Sequence, residues 1–439
     1  MTNKVRVGVI SLGCDKNRVD TEKALAILSK DCLITQDVEN ADVIIINTCA
    51  FLESARQEAI EEILWVGQLK NSRPDLKLIV TGCLPQKFVN ELFDELLEVD
   101  AFLGVSDYQE LPRVIKSLYE KGERINAVGQ PRGECGNKRF LTTDGYAYLK
   151  IADGCSNHCT YCLIPSIRGK FRSVPQASLI EEVKGLGEVK ELILVAQDVT
   201  KYGQDLEPKV DLVQLIRNLS NLTNVDSIRL LYCYPEGITD QLINEYKTNS
   251  KLIRYIDIPL QHASNPVLKR MNRKGTGEQY LSLIERLKNE VEGIAIRSTF
   301  ITGFPGETEQ DFATLCDFLQ KAKLFNAGFF AYSREEDTPA YKLPDQIEEK
   351  TKRARLKKLY SVQKKVVKKN LNALVGKTVK VLAEGFDFDA LTYYGRGYFN
   401  APSVDGKIYF FSTDEVVNGE YYDVEITKVD GYDLYGDRL

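Results

Sequence analysis

The residues best placed to do chemistry are cysteines. The run Gly154-Cys155-Ser156-Asn157-His158-Cys159-Thr160-Tyr161-Cys162 sets three thiols in one short loop, with three and then two residues between them. Three thiolates at this spacing suit a cubane iron–sulfur cluster whose fourth iron has no protein ligand. Soft sulfur donors select iron–sulfur or zinc over hard cations. A structural zinc takes four ligands, and a fourth is not evident here. His158 is adjacent to Cys159, a poor position for sharing one ion. A simple redox pair of Cys159 and Cys162 is the remaining alternative.

A second set is scattered. Cys14, Cys49 and Cys83 each lie one to three residues beyond a β-rich run, namely Val5–Ser11, Val43–Asn47 and Leu78–Thr81. In a parallel sheet the C-terminal strand ends share one edge, so three such thiols are expected to converge on a second metal site. The alternative is three unrelated small residues in βα loops. Cys32, Cys135, Cys233 and Cys316 show no shared placement of this kind.

Both sets need a scaffold, and the chain reads as an α/β protein in four parts. Residues 1–130 alternate strand and helix, with a further strand at Phe102–Val105 and helical spacing over Asp20–Ser29 and Ser54–Gln68. Val43–Asn47 is wholly apolar up to its last residue, as a strand covered on both faces is. The pattern predicts a doubly wound parallel sheet. Gly129–Asp144, with Pro131, Gly133 and Gly136, reads as a linker.

Residues 141–345 hold a second alternating series. Its candidate strands are Tyr146–Ala152, Leu192–Ala196, Ser227–Tyr232, Tyr255–Leu260, Ala295–Ile301 and Ala327–Ser333. Helical segments such as Val174–Leu186, Gly277–Glu290 and Thr308–Lys323 lie between them. Six β/α units predict a partial (β/α)6 barrel, short of the eight-fold closed form; an open sheet is the alternative. The Cys155 loop follows the first strand of this series and is therefore expected at the C-terminal rim.

Residues 346–375 read as one long helix, with Leu356, Leu359, Val362, Val366 and Leu371 in helical rhythm. Lys350 to Lys369 contains ten basic residues and no acidic one. That run is either a solvated face or a surface turned to an anion. Residues 376–439 are rich in Tyr, Phe, Gly and β-branched residues, with turns at Asp405-Gly406, Asn418-Gly419 and Asp430-Gly431, and predict a small β-barrel. This tail carries twelve acidic residues against six basic ones.

Composition narrows the classes. With 43% hydrophobic and 28% charged residues, the 439-residue chain suits a folded protein of about three domains. No run of about 18 apolar residues is present, so no membrane span is expected. A net charge of −5 argues against a globally basic nucleic-acid binder. Two histidines, His158 and His262, give imidazole chemistry little to work with. Lys4 and Arg6 followed by Leu12-Gly13-Cys14 imitate a lipoprotein signal, but the apolar run Val7 to Leu12 is too short and alternates like a strand. A cytoplasmic, reducing location is expected, where spaced cysteines mean metal or redox chemistry more often than disulfides.

The CxxxCxxC loop in this position resembles the radical S-adenosylmethionine superfamily. The whole chain is similar to the methylthiotransferases within it. The matching pieces are Ser11-Leu12-Gly13-Cys14, Asn47-Thr48-Cys49, Thr81-Gly82-Cys83, the Cys155 loop and Phe300-Ile301-Thr302-Gly303-Phe304-Pro305-Gly306-Glu307-Thr308, while the tail resembles a TRAM domain. The resemblance implies two [4Fe-4S] clusters, an auxiliary one on Cys14, Cys49 and Cys83 and a radical one on Cys155, Cys159 and Cys162. One S-adenosylmethionine would methylate a sulfur at the auxiliary cluster. A second would yield the radical that removes hydrogen from the substrate. No catalytic side chain is expected beyond the cluster ligands.

One branch of this family modifies an adenosine beside the tRNA anticodon; the other modifies an aspartate of small-subunit ribosomal protein twelve. Asp257-Ile258-Pro259-Leu260-Gln261-His262-Ala263-Ser264 and Arg229-Leu230-Leu231-Tyr232-Cys233-Tyr234-Pro235 resemble the ribosomal-protein branch. The acidic tail points the same way, because it would repel a phosphate backbone and attract a basic protein. The implied partners are that ribosomal protein, within or near the ribosome, and an electron donor such as flavodoxin or ferredoxin. A cobalamin-binding radical methylase is the rival with a similar layout, but residues 1–145 contain no His to ligate cobalt. For the cofactor, strand ends offer Gln197, Asp198 and Arg297, with Gly303 for close backbone approach. Arg297 suits a bidentate bond to the cofactor carboxylate, or else a structural ion pair. His262 at a strand end is expected to fill a structural slot.

Overall fold

The computed structural model describes residues 4–133 and 138–439. Cys135 and Gly136 of the expected linker lie outside the described residues.

The first unit is a six-stranded sheet, all parallel, in the order β2-β1-β3-β4-β5-β6. Its strands are β1 (Arg6–Ser11), β2 (Leu33–Thr35), β3 (Val43–Thr48), β4 (Lys77–Gly82), β5 (Ala101–Leu103) and β6 (Ile125–Ala127). Every residue of β3 is buried. Ile44 and Ile46 face one core, under helices Glu53–Leu69 and Cys83–Glu95. Val43 and Ile45 face the other, under Asp15–Leu28 and Leu111–Lys121. This two-sided cover explains the unbroken apolar runs. Strand order reverses between β1 and β3, where doubly wound sheets open a crevice. The edge strands β2 and β6 are three residues each, too short to show a periodic signal.

The second unit is a six-stranded parallel sheet, β14-β13-β12-β11-β10-β7, an open barrel as expected. It comprises β7 (Tyr146–Lys150), β10 (Glu191–Val195), β11 (Ile228–Leu230), β12 (Leu252–Asp257), β13 (Ala295–Thr302) and β14 (Asn326–Ala331). The first candidate strand is shorter than expected: Ala152 and Asp153 leave it as β8, which pairs with β9 (Arg172–Ser173). The fourth runs Leu252–Asp257 rather than Tyr255–Leu260. Pro259 has no N–H for the ladder, so regular pairing is interrupted there and returns as a single bridge at Gln261, which bonds Thr299 O and Ile301 N.

The third unit is a closed barrel of β15 (Thr378–Asp387), β16 (Thr392–Arg396), β17 (Ile408–Phe411), β18 (Tyr421–Asp430) and β19 (Asp433–Arg438). It packs at the N-terminal ends of the larger barrel's strands. Arg396 reaches Glu191 at 2.5 Å, Arg229 donates to Tyr398 O at 2.8 Å, and Asn326 donates to Phe399 O at 2.7 Å. Phe399, Ala401 and Val381 share a core with Tyr148, Ile193 and Tyr255 from inside the large barrel. One mouth is thus plugged, and the C-terminal rim is left for the site.

The expected linker is only partly a spacer. The Arg139 side chain is fully buried between Glu22 of the first unit and Glu182 of the second. The long helix, Glu349–Asn372, runs along the outer edge of the barrel beside β14.

Candidate metal centres

The first triad gathers at the edge the strands predict. Cys14 ends the loop after β1, Cys49 follows β3, and Cys83 opens the helix after β4. The three loops touch. Gly13 has φ +92°, and a Cβ there would stand 2.7 Å from Cys49 Cβ. Gly82 has φ +102°, and its Cβ would stand 2.4 Å from Asn47 Oδ1 and 2.5 Å from Thr48 O. Glycine is required at both positions, because the next loop fills the space a side chain would need.

Asn17, one turn into the first helix, holds the group together. Its Oδ1 lies 3.9 Å from both Cys14 Sγ and Cys83 Sγ, and its Nδ2 donates to Thr48 O at 2.9 Å. Arg168 enters from the second unit. Its Nη2 donates to Asn17 Oδ1 at 2.7 Å, reaches Asp20 Oδ2 at 3.2 Å and lies 3.7 Å from Cys83 Sγ. Burial pushes the Cys83 thiol up to about 12, and Arg168 pulls in the opposite direction. Burial also raises Cys49, against backbone N–H bonds from Phe51 and Ala50.

The second triad sits at the barrel's C-terminal rim, in the loop from β8 to the helix Ile164–Arg168. Backbone N–H groups of Asn157 and Ile164 donate to Cys155 Sγ and Cys162 Sγ, each at 3.4 Å. Tyr234 Oη stands 3.4 Å from Cys159 Sγ, and Arg273 Nη1 4.0 Å. Arg273 also lies over the Tyr234 ring at 3.8 Å. Burial raises Cys155 and carries Cys162 up to about 12. Thr160 donates to Arg270 O at 2.8 Å, and Asn272 donates to His158 O at 2.9 Å, clasping the loop. His158 itself is exposed.

These donor sets fit iron–sulfur clusters. Each triad offers three thiols, and backbone and side-chain donors point at the sulfurs, which is how a protein holds and tunes a cluster thiolate. Among the described residues, no three His, Cys, Asp or Glu side chains are drawn together tightly enough for a single metal ion.

The two triads are wired to each other. Arg168 Nη1 bonds Asp153 at 2.9 and 3.2 Å, and Asp153 accepts the N–H of Gly154, next to Cys155, at 2.8 Å. Lys150 bridges Asp20 and Asp153. For Arg168, burial works against the charge, and the attraction of Asp153, Cys83 and Asp20 outweighs it. Nothing in the spacing of the sequence singled out Arg168, Asn17 or Asp153. The only available signal, for Arg168 and Asp153 alone, was a charged residue beside an apolar run.

The expected cofactor contacts divide. Gln197 lies two residues beyond β10 at the rim, donates to Asp153 Oδ1 at 3.1 Å, and keeps Oε1 buried with no partner among the described residues. Asp198 is buried and occupied: Thr200 donates twice to Oδ1 and Asn157 donates to Oδ2 at 2.9 Å, so it braces the cysteine loop. For Arg297 the structural ion pair is what the structure shows. It bonds Asp257 at 3.1 Å and Asp405 of the small barrel at 3.2 Å, near the plugged mouth. Gly303 gives its N–H to Glu307 and packs its backbone on Lys352 of the long helix. His262 is fully buried, and its Nδ1 accepts from Ser264 N at 2.9 Å.

Family models match three stretches. Residues 6–104 match an uncharacterized protein family, UPF0004, residues 149–319 the radical SAM superfamily, and residues 375–438 the TRAM domain. The ribosomal protein uS12 methylthiotransferase RimO of Acetivibrio thermocellus is 45% identical, covering 99% of each chain. The protein of the same name from Lachnoclostridium phytofermentans is 44% identical over 98% of this chain and 99% of its own. The chain belongs to the RimO methylthiotransferase family. As a member of that RimO family it is a radical S-adenosylmethionine enzyme. Among solved structures, the radical S-adenosylmethionine methyltransferase TsrM of Kitasatospora setae shares the fold, with a TM-score of 0.56, 14% identity and 77% coverage of each chain.

Proposed function

We propose that this enzyme transfers a methylthio group to the β-carbon of an aspartate in ribosomal protein uS12. The observation that carries this reading is a pair of thiol triads, from two different units, facing one another across Arg168 and Asp153. Full-length relatives bearing the uS12 name support the substrate, and the acidic tail supports a basic protein over tRNA.

Cys155, Cys159 and Cys162 would hold the radical cluster, and Cys14, Cys49 and Cys83 the auxiliary one. When bound, the clusters and S-adenosylmethionine supply a hydrogen-abstracting radical and the sulfur for transfer, chemistry that no side chain here provides. The chain's own part is placement. Asp198 and Asn157 fix the cysteine loop, and Lys201 bonds Asn157 from the far side. Gln197, with its unpaired buried oxygen, is the residue we assign to the cofactor's polar end. Arg168 puts positive charge and an N–H donor beside the Cys83 thiol, which favours thiolate over thiol, while Asn17 ties the loops together through its bond to Thr48 O. The buried ion network of Arg168, Lys150, Asp153 and Asp20 also fixes the two units against each other. The reading implies a cytoplasmic setting and a low-potential donor such as flavodoxin or ferredoxin. Among the described residues no helix is long and apolar enough to cross a membrane.

The test is one anaerobic competition. Reconstituted enzyme, reductant and S-adenosylmethionine meet uS12 and total tRNA together, with mass spectrometry on both. Methylthio gain on the uS12 aspartate is expected. Gain on tRNA alone would overturn the substrate assignment.

A further inference from the structure

The long helix Glu349–Asn372 has two faces of opposite character. Leu359, Gln363, Val367 and Leu371 are buried against the barrel and the tail. On the other face Lys350, Arg353, Lys357, Lys364 and Lys368 are all exposed. They recur at spacings of three, four, seven and four residues, which keeps them on one stripe. At 1.5 Å per residue the stripe is about 27 Å long. The helix's ion pairs are made elsewhere, by Lys352 with Glu349 and by Arg355 with Glu307 and Glu309. None of the five stripe residues meets a carboxylate among the described residues.

A cationic row without counter-charges is costly to keep for stability alone, because like charges on one helix face repel. It suits a regular polyanion. A nucleic-acid duplex presents about one charge per 1.7 Å of axis, and flexible lysines meet phosphates without reading sequence. A lipid surface fits less well. A membrane-binding helix needs a free apolar face, and here that face is buried in the protein. Placement fits too. The helix starts at the C-terminal rim, where Lys352 donates to Tyr332 O at 2.9 Å, and ends against the tail barrel. The stripe therefore leads away from the candidate site along one side of the molecule.

We propose that this stripe docks on the phosphate backbone of RNA, so that the protein substrate is met while it lies on RNA. The second clause rests on the substrate reading above; the first does not. The test is fluorescence polarisation of the full, cluster-loaded chain with a labelled 20-base-pair RNA duplex between 50 and 200 mM salt. The comparison is with Lys357→Glu/Lys364→Glu/Lys368→Glu and with a control, Lys380→Glu/Lys407→Glu/Lys428→Glu, on the tail barrel. The expected result is salt-dependent binding by the parent, at least tenfold weaker binding by the helix variant, and a salt slope lower by about 3, one for each lost phosphate contact. The control should bind like the parent. Formation of 5′-deoxyadenosine without substrate should be unchanged in both variants. The proposal is overturned if the parent does not bind, if the helix variant binds equally well, or if phosphatidylserine vesicles compete on equal terms. Methylthio transfer is not read, so loss of RNA binding and failure of the uS12 assignment stay distinct.

Discussion

The radical loop carries its thiols within eight consecutive residues, Cys155 to Cys162, whereas Cys14, Cys49 and Cys83 come from three βα loops of one sheet. The first arrangement depends on one turn and its neighbours: two backbone N–H donors, Tyr234 and Arg273. The second depends on strand register across β1, β3 and β4, and on a side chain from another unit. A locally written site tolerates disturbance at a distance. A site assembled by topology does not. The auxiliary triad should therefore be the first to fail when packing is altered, and the radical triad should fail chiefly when its own loop or the side chains that clasp it are changed.

The largest effect should come from the thiols. Cys155→Ala/Cys159→Ala/Cys162→Ala is expected to halve bound iron, from about eight to about four atoms per chain, and to abolish cleavage of S-adenosylmethionine. Iron analysis and Mössbauer spectra would show whether the auxiliary cluster remains, as independent triads require.

Next comes Arg168. Arg168→Met leaves Asp153 and Asp20 buried beside the site with one fewer cation. Breaking such a buried network costs about 3–5 kcal/mol, read by denaturant unfolding of the loaded protein. Auxiliary iron should be lost preferentially, and Arg168→Lys should recover part of it. Equal loss from both triads would break the comparison.

Gly82→Ala forces a side chain onto φ +102° and against Asn47. Strain of about 1–3 kcal/mol is expected, with auxiliary iron reduced and 5′-deoxyadenosine formation kept. The smallest effect belongs to Tyr234→Phe, which removes one hydrogen bond to Cys159 Sγ. One such bond is worth about 1 kcal/mol, so cofactor cleavage should slow by less than about tenfold, with iron content unchanged.

Much of this was readable beforehand because it is periodic or compositional. Unbroken apolar runs such as Val43–Asn47 announced a two-sided sheet, and six β/α repeats announced an open barrel. Both cysteine sets lie where strand-end reasoning put them. What escaped has a shared cause: it depends on contacts between units, which leave no period in the chain. Arg168 reaches Cys83 across 85 positions, and Arg297 reaches Asp405 across 108. Arg297 looked like a carboxylate binder and is one, but its carboxylates belong to the protein. Asp198 and Gly303 likewise sit at the expected strand ends and serve the loops around them. Arg139, in a stretch that reads as linker, has its side chain buried because Glu22 and Glu182 converge on it.

The most direct measurement of the two-centre account uses Cys14→Ala/Cys49→Ala/Cys83→Ala, reconstituted and given reductant, S-adenosylmethionine and uS12. The account predicts that 5′-deoxyadenosine still forms while no methylthio product appears on the protein. Methylthio product from this variant would contradict it, and so would loss of 5′-deoxyadenosine with the radical cluster shown intact by Mössbauer spectroscopy.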